Sequence, residues 1–303
     1  MAEAGFLERA CPSCGAAAPA AEVQSDPPAE KLSFNDLRPH WTGLFKRKVF
    51  FSYDRCGTCG LLFAPTFFTP TQLEDLYSAM EPNMPDVTNG ALDATQRGYF
   101  DAAAGDVPLE GGYLEIGPDV GFIVRHAARE GKFDEFWLFE PNEAVHAALA
   151  DATEGKPHHI STGMTDFSSV PDGSVGLAVM VHVLDHLLDP VETLRQVRAK
   201  LRPDGALMIV THNEASLLRR VMGTRWPPFC LQHPEIYNPD SISALLRRAG
   251  FGKVEVQRSR NYFPIGFMIR QAAWTAGIKL DWMPLPNAAL GLKLGNILTL
   301  AAA

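Results

Sequence analysis

The chain has 303 residues, of which 46% are hydrophobic and 20% are charged, and this balance is ordinary for a soluble globular protein. A chain of this length can bury one large core, or one core with a small appended module. The formal net charge of −8 disfavours nucleic-acid binding, because phosphates repel an acidic surface. The sequence shows neither a signal-peptide pattern nor an apolar run of the roughly 20 residues that span a bilayer. We therefore expect a cytoplasmic protein.

Two CxxC motifs, each followed by glycine, are the first distinctive feature of the chain. Cys11 and Cys14 form the first motif, and Cys56 and Cys59 form the second. A CxxC turn directs two sulfur atoms toward one point, so two such turns can complete a tetrahedral four-thiolate zinc site. The alternative is a redox-active or merely buried set of cysteines. Four protein ligands leave no open position, so we expect this Zn²⁺ to be structural.

The strand-like residues around the second motif indicate a zinc ribbon, and we expect it to occupy residues 1–68 with a helical insertion between the motifs. Aromatic and leucine side chains recur in this insertion at a helical spacing, at Phe34, Leu37, Trp41, Leu44 and Phe45. The face that they form either packs on the main domain or, through Trp41 and Phe45, roofs a substrate pocket.

Residues 69–109 are expected to form connecting helices. Thr69 is a capping residue, and Pro70 suits the first position of a helix that begins there. A loop rich in proline and asparagine follows, and residues 91–104 predict a second helix that leads into the next domain.

A strand, a glycine turn and a helix follow one another from residue 113. The apolar run of residues 113–116 stops at Gly117, and Gly121 opens a segment with helical periodicity. Glycine permits a tight turn and lets a ligand approach the main chain where a Cβ would collide. A second strand ends at Glu140, an acid that can accept both hydroxyl groups of a ribose above the strand ends, and Pro141 is expected to start the next helix. This is the pattern of the first half of a nucleotide-binding α/β sheet.

The following segments continue the alternation of strands and helices. Residues 175–181 are almost wholly apolar, as expected for a central parallel strand, and they end at His182. A helix capped by Asp189, a strand over residues 206–210, a helix over residues 240–249 and a strand over residues 253–257 are predicted next.

Four ordered stretches resemble the successive sheet motifs of class I S-adenosylmethionine-dependent methyltransferases. They read LEIGPDVG from Leu114, LFEPN from Leu138, VPDGSVGLAVMVHVLDHLLDP from Val170 and LRPDGALMIVTHN from Leu201. The resemblance covers roughly residues 110 to 260, with a last strand expected near residues 295–302. It implies S-adenosylmethionine as cofactor and an α/β fold over residues 110–303, with a doubly wound, seven-stranded, mostly parallel, Rossmann-like sheet.

The resemblance also implies which residues contact the cofactor. These residues are Glu115, Gly117, Asp119, Gly121, Glu140, Pro141, Met164, Thr165, Val181 and His182. Asp119 departs from the commoner family pattern, which has glycine there, and Met164 stands where an acid usually follows the loop glycine. A side chain at position 119 can crowd the methionine moiety, whereas the Met164 thioether can pack on the adenine face. Zinc-bearing sugar C-methyltransferases, which share the EIG start, also carry a polar residue at the Asp119 position, so we expect binding to be retained.

Histidines are the candidate bases for the methyl acceptor. S-adenosylmethionine already carries an activated methyl group, so the protein must mainly align a nucleophile with it. An oxygen acceptor also needs a proton acceptor, and the candidates are His182, His186, His212 and His233. We assign catalytic roles to His182, near the cofactor, and to His233 with Tyr237, in an irregular acceptor-side loop. A hydrogen-bonded structural role is the alternative for each histidine, and a carbon acceptor would use similar residues to form an enolate.

The resemblance to zinc-bearing methyltransferases favours a small-molecule acceptor, such as a sugar nucleotide, a lipid-linked intermediate or a natural-product intermediate. One alternative is a zinc-ribbon RNA methyltransferase. Another is a non-catalytic interaction module on a methyltransferase fold, for which Asp119 and Met164 are the arguments. Residues 263–292 form an apolar insertion, which we interpret as a lid or else as a peripheral membrane or dimer contact.

Overall fold

The structure is a computed structural model, and it describes residues 5–17, 21–41, 49–78, 89–275 and 288–303. Its amino-terminal part holds five short strands and one helix of a single turn. These are β1 (Leu7–Glu8), β2 (Ala21–Val23), α1 (Phe34–Leu37), β3 (Tyr53–Arg55), β4 (Leu62–Phe63) and β5 (Thr66–Phe67). Strands β2, β3 and β4 form an antiparallel sheet, and β1 pairs separately with β5.

The predicted helix in the insertion is shorter in the structure. The Ser33 side chain caps α1 by accepting a hydrogen bond from the main-chain N–H of Asp36, and the helix passes into a 3₁₀ turn at Arg38–His40. Trp41 is only 8% exposed and packs edge-on against the rings of Phe68 and Tyr77. The aromatic face therefore packs into the protein at Trp41, whereas Leu44 and Phe45 lie outside the described residues.

Two helices lie between the amino-terminal strands and the main sheet. They are α2 (Pro70–Ser78) and α3 (Asn89–Ala104). Thr69 and Gln72 satisfy each other's main-chain N–H groups at the start of α2, at 2.9 and 3.3 Å, which is a capping-box arrangement.

The remaining chain forms a seven-stranded sheet with helices on both faces. In chain order its elements and their neighbours are β6 (Glu110–Ile116), α4 (Phe122–Glu130), β7 (Lys132–Phe139), α5 (His146–Ala152), β8 (His158–Ser161), β9 (Val175–Val181), α6 (Pro190–Lys200), β10 (Leu201–His212), α7 (Leu217–Met222), β11 (Glu235–Ile236), α8 (Pro239–Arg248), β12 (Lys253–Arg258), β13 (Asn261–Pro264), α9 (Ile265–Thr275), β14 (Ala289–Leu292) and β15 (Asn296–Ala302). The order across the sheet is β12-β15-β10-β9-β6-β7-β8. Strand β15 runs opposite to the other six strands, and all pairs that do not include it are parallel. The predicted mostly parallel, seven-stranded sheet is confirmed.

Strand β9 lies at the centre of this sheet, and apolar cores cover both of its faces. Ala178 and Met180 point into the apolar core on one face, and Leu177 and Val179 point into the core on the other. All four side chains are fully buried. An uninterrupted apolar run is therefore what this position requires, because both faces of the strand are covered.

The helix expected directly after Glu140 begins later than predicted. The Asn142 side chain accepts a hydrogen bond from the N–H of Ala144 and caps a 3₁₀ turn at Glu143–Val145, so that α5 starts only at His146. An asparagine cap thus prevails over Pro141, which had predicted the first helical position.

A strand from the carboxyl-terminal half completes the amino-terminal sheet. Glu235 and Ile236 of β11 pair antiparallel with Phe63 and Leu62 of β4. Beside them, the guanidinium of Arg9 forms an ion pair with Glu235 at 2.8 Å, and the two side chains are 5% and 0% exposed. The strands next to the CxxC motifs are therefore joined to the main domain by hydrogen bonds and a buried charge pair.

The apolar insertion begins and ends in a strand pair. Strands β13 and β14 are antiparallel partners, and the N–H of Tyr262 donates to Thr95 Oγ1 on α3 at 2.8 Å. Residues 276–287 lie outside the described part, so the expected lid remains a prediction there. Within the described ranges, no helix has the length and apolar character needed to cross a membrane.

Candidate active site

The glycine turn after β6 forms the floor of the expected cofactor crevice. Gly117 has φ +67° and Gly121, at the start of α4, has φ +77°. A Cβ on Gly117 would lie 2.7 Å from Cγ2 of Val183, and a Cβ on Gly121 would lie 2.8 Å from Cβ of Ala152. Both glycines are thus required by their conformation and by their close contact with neighbouring side chains of the protein.

Asp119 occupies the turn in the conformation that glycine usually adopts. Its φ is +50°, in the left-handed region, which aspartate tolerates better than most residues. Its main-chain N–H donates to Oε2 of Glu140 at 2.9 Å. Burial raises the pKa of its carboxyl group. The departure from the family pattern therefore keeps the backbone of the turn.

Glu140 lies at the end of β7 and closes the crevice. Oε2 accepts the hydrogen bond from Asp119, and Oε1 accepts one from the N–H of Asn142 at 2.9 Å. Glu140 is only 6% exposed, and this burial raises the pKa of its carboxyl group. A carboxylate offers about two acceptor directions on each oxygen, so each oxygen retains one for a ribose hydroxyl group. The geometry fits the ribose of S-adenosylmethionine.

Glu115 lies behind the turn rather than in the open crevice. It is 2% exposed, and its carboxyl group accepts a hydrogen bond from the hydroxyl of Tyr113. Burial raises the pKa of Glu115 to about 8. The group is therefore largely protonated at neutral pH, which the sequence pattern does not reveal.

The expected adenine-side residues differ in exposure. Met164 is half-buried, and its Cε lies 3.9 Å from where a Cβ on Gly117 would be. Thr165 and Pro141 are exposed. Met164 is thus the member of this group that borders the glycine turn directly.

The carboxyl end of β9 brings the first histidine next to the turn. Val181 is the last residue of β9, and the N–H of His182 donates to the carbonyl of Val210 on β10 at 2.8 Å. His182 has φ +52°, an uncommon conformation for a non-glycine residue. Its neighbour Val183 is the residue that contacts Gly117, so His182 lies within one residue of the cofactor floor.

Three more histidines surround a buried carboxylate beside His182, and we call these five residues the histidine cluster: His182, Asp185, His186, His212 and His233. The rings of His182 and His212 stack with centroids 4.5 Å apart, and the ring of His233 lies 5.1 Å from His212 and 4.8 Å from His186. Asp185 is completely buried, and Nε2 of His212 lies 3.9 Å from its Oδ2. The structure therefore brings together all four histidines that the sequence nominated as bases.

The four imidazoles of the cluster differ in protonation state. Burial lowers the pKa of His182, His186 and His212, so these rings are neutral at physiological pH and can accept a proton. Burial acts the same way on His233, but Cys230 and Asp185 outweigh it and raise its pKa to about 9. Nδ1 of His233 is also 2.7 Å from the carbonyl oxygen of Pro228.

Tyr237, the other residue assigned to the acceptor side, is fully buried in the core near Cys11 and Cys56. Its hydroxyl group has no hydrogen-bond partner among the residues that the structure describes. Asp185 was not singled out from the sequence, although it follows His182 by three residues at a strand end. That spacing, in an otherwise apolar segment, is the one sequence signal that could have identified it.

The four cysteines of the CxxC motifs converge. Their sulfur atoms all lie within 4.8 Å of one another, with Cys11 and Cys59 at 3.5 Å and Cys14 and Cys56 at 3.4 Å. The two turns are alike: in each, the glycine after the second cysteine has φ +74° and donates its N–H to the carbonyl of the first cysteine. Tetrahedral zinc with Zn–S bonds of about 2.3 Å places its sulfur atoms about 3.8 Å apart. The cluster therefore fits such an ion.

Comparison with known proteins agrees with this architecture. The sequence model of a family described as a methyltransferase domain matches residues 95–256. No curated protein matches the chain.

Several solved structures resemble the fold. A chain from the complex between the Haloferax volcanii Trm112 methyltransferase activator and a methyltransferase is 14% identical, with 71% of this chain and 94% of that chain covered and a TM-score of 0.51. An S-adenosylmethionine-dependent methyltransferase from Archaeoglobus fulgidus is 16% identical, with coverages of 71% and 95% and a TM-score of 0.48. One from Leishmania major is 12% identical, with coverages of 89% and 82% and a TM-score of 0.47. Because the family match spans more than half of the chain, the protein belongs to the methyltransferase-domain family and is an S-adenosylmethionine-dependent methyltransferase.

Proposed function

We propose that the protein transfers a methyl group from S-adenosylmethionine to an oxygen or carbon atom of a small molecule, such as a sugar nucleotide, a lipid-linked intermediate or a natural-product intermediate. The observation that carries this proposal is the histidine cluster beside Gly117. Its side chains are mostly buried, so they suit a compact acceptor that enters the crevice better than a long polyanion. The net charge of −8 also argues against the alternative of an RNA substrate.

Different residues of the crevice would bind different parts of S-adenosylmethionine and the acceptor. Glu140 would hold the ribose, and the turn from Gly117 to Gly121 would carry the main-chain contacts to the methionine end, with Met164 against the adenine. S-adenosylmethionine supplies a methyl group on a sulfonium sulfur, which keeps the electron pair of the broken C–S bond. As the acceptor oxygen forms its new O–C bond, its proton would pass to a neutral imidazole, and His182 is the one nearest the cofactor floor. His233 would position the acceptor, and the role assigned to Tyr237, which is fully buried in the core, stays a prediction.

We also propose that the four cysteines hold a structural Zn²⁺. The matching turns and the short sulfur–sulfur distances support this ligand set, and four thiolates leave no position for a substrate. The ion would stabilise the strands that carry it, together with β11, which pairs with β4. In this proposal residues 1–68 form the zinc module, and the lid assigned to residues 263–292 stays a prediction, because residues 276–287 lie outside the described part.

Calorimetric titration with S-adenosylmethionine and S-adenosylhomocysteine tests the proposal. Glu140→Gln should weaken binding about tenfold to hundredfold, because a hydrogen bond to a charged group contributes about 1.5–3 kcal/mol. Glu143→Gln, at an exposed acid three residues away, is the matched control. No binding by the wild type would instead support a non-catalytic module. Binding of RNA that weakens steeply with salt would support the RNA alternative over a small-molecule acceptor.

A further inference from the structure

Asp185 presents an unusual electrostatic problem. It is completely buried, and neither of its carboxylate oxygens accepts a hydrogen bond from any residue in the described part of the chain. Its only ion-pair contact there is Nε2 of His212, at 3.9 Å, which is too long for a hydrogen bond. A buried carboxylate without partners costs several kcal/mol, so this position needs a compensating positive charge, either from an imidazolium or from a metal ion.

Two imidazoles face the same space as Asp185. One ligand atom each from His182, Asp185 and His212 lies within 4.8 Å of the other two. Nδ1 of His182 is buried and has no hydrogen-bond partner in the described ranges, while its Nε2 contacts the side chain of Asn296. Ligand atoms about 2.1 Å from one metal ion lie roughly 3 to 3.5 Å apart, so side-chain adjustments of about an ångström would close the site.

We propose that His182, Asp185 and His212 form a second metal site, distinct from the four-cysteine cluster, for a divalent first-row transition-metal ion. Two imidazoles and one carboxylate are a ligand set that such ions accept, and three protein ligands leave coordination positions open. This inference deepens the acceptor site and rests on the proposed function for its role. With an ion bound, His182 would be a ligand and no longer the proton acceptor. The ion would instead lower the pKa of an acceptor hydroxyl group, whose proton would then pass to solvent.

Asn296 sets a condition on this site. Its Oδ1 accepts from Nδ1 of His212 at 3.1 Å, which leaves Nε2 of His212 free to bind a metal. Asn296 Nδ2 lies 3.2 Å from Nε2 of His182. Because an amide nitrogen only donates, Nε2 of His182 accepts, and Nδ1 of His182 carries the ring proton. To bind a metal through Nδ1, His182 must carry its proton on Nε2 instead, and Nε2 then needs an acceptor. The amide of Asn296 presents its oxygen to His212 and its nitrogen to His182, so it cannot accept from both rings. Asn296→Asp supplies a carboxylate that can, so this variant should bind the metal more tightly than the wild type.

A proton is the competing source of positive charge. His233 also belongs to the cluster, and an imidazolium there would neutralise Asp185 without any metal. The two possibilities differ in metal content, which can be measured without cofactor or acceptor.

The test uses the full chain with its four-cysteine site loaded with Zn²⁺, dialysed against Co²⁺ in the absence of S-adenosylmethionine. The wild type should take up about one equivalent of Co²⁺ beyond the zinc, with visible bands of nitrogen and oxygen ligation and without thiolate charge transfer. Asp185→Asn and His212→Gln should lose this equivalent, and Asn296→Asp should strengthen it about tenfold or more. His159→Gln, at an exposed histidine on β8, should retain it.

Two results would overturn the metal site. One is a wild type that binds no Co²⁺ beyond the cysteine cluster, whatever the Asn296→Asp variant binds. The other is Co²⁺ uptake that survives in Asp185→Asn. Either result assigns the neutralising charge to a protonated imidazole. Neither depends on methyl transfer, so failure of the proposed function and failure of the metal site are separate outcomes.

Discussion

Replacing Glu115 with glutamine should change how the stability of the protein depends on pH. Glu115 is buried behind the glycine turn, and burial raises its pKa from 4.5 to about 8. Between these values the folded protein keeps a proton that the unfolded chain has lost. The stability from the neutral acid is therefore fully present below the unfolded pKa, and it is lost as the pH rises through the folded pKa. Glutamine has nearly the same shape, can still accept from the hydroxyl of Tyr113 and does not titrate.

The size of the effect follows from the interval between the two pKa values. Within it, each pH unit lowers the free energy of unfolding by about 1.4 kcal/mol. From about pH 6 to about pH 8 the loss amounts to about 2 kcal/mol, because the folded acid begins to ionise at the upper end. Unfolding of wild type and Glu115→Gln, followed by circular dichroism across this range, should show the variant gaining by that amount. Asp134→Asn, at an exposed acid on β7, is the control and should not gain.

A stability difference between wild type and Glu115→Gln that stays constant with pH would refute this reasoning. It would mean that Glu115 is already ionised in the folded protein. Tyr113→Phe gives an independent check of direction. The Tyr113 hydroxyl lowers the pKa of Glu115, so its removal should move the loss of stability to higher pH.

Three further predictions concern the glycine turn, the buried ion pair and the cysteines. Gly117→Ala should weaken S-adenosylmethionine binding more than about tenfold in calorimetry, because the new Cβ would lie 2.7 Å from Cγ2 of Val183 and because a positive φ strains alanine. The control Gly252→Ala, whose Cβ would have its nearest contact at 3.9 Å, should bind normally. Arg9→Met should cost about 3–5 kcal/mol in urea unfolding because it leaves Glu235 buried and unpaired, and adding Glu235→Leu should restore most of that loss; equal losses in both variants would contradict a coupled pair. Removing zinc with a chelator should lower the unfolding temperature and zinc should restore it, whereas an unchanged temperature would show that the four cysteines hold no stabilising metal.

Much of the main sheet can be predicted from the sequence because its signals are local. Residues 175–181 form an apolar run of strand length, and they are the central strand β9. Gly117 and Gly121 mark a turn that only a few residue types can make, and the structure gives both positive φ. Glu140 directly follows a strand that ends at Phe139, in both the prediction and the structure. Each of these inferences depends on neighbours within a few residues.

The arrangement of the histidine cluster depends on contacts that no local pattern contains. His182 and His212 meet because β9 and β10 are adjacent parallel strands. His233 arrives on a loop, and Asp185 gains its significance only when these rings surround it. The protonated state of Glu115 likewise results from burial under distant residues. Sequence analysis therefore nominated the imidazoles, whereas only the spacing of Asp185 after His182 could have pointed to the carboxylate between them.

The pairing of β4 with β11 has a consequence for the order in which the protein folds. Phe63 and Glu235 are partners across most of the length of the chain, so this pair closes a long loop whose entropy must be offset before its contacts form. Strands β3 and β4, on either side of the second CxxC motif, are synthesised early, but their sheet cannot be completed until β11 has been synthesised. Because His233 lies two residues before that strand, the acceptor side of the site is fixed only at this late step, after the nucleotide-binding half can already have formed.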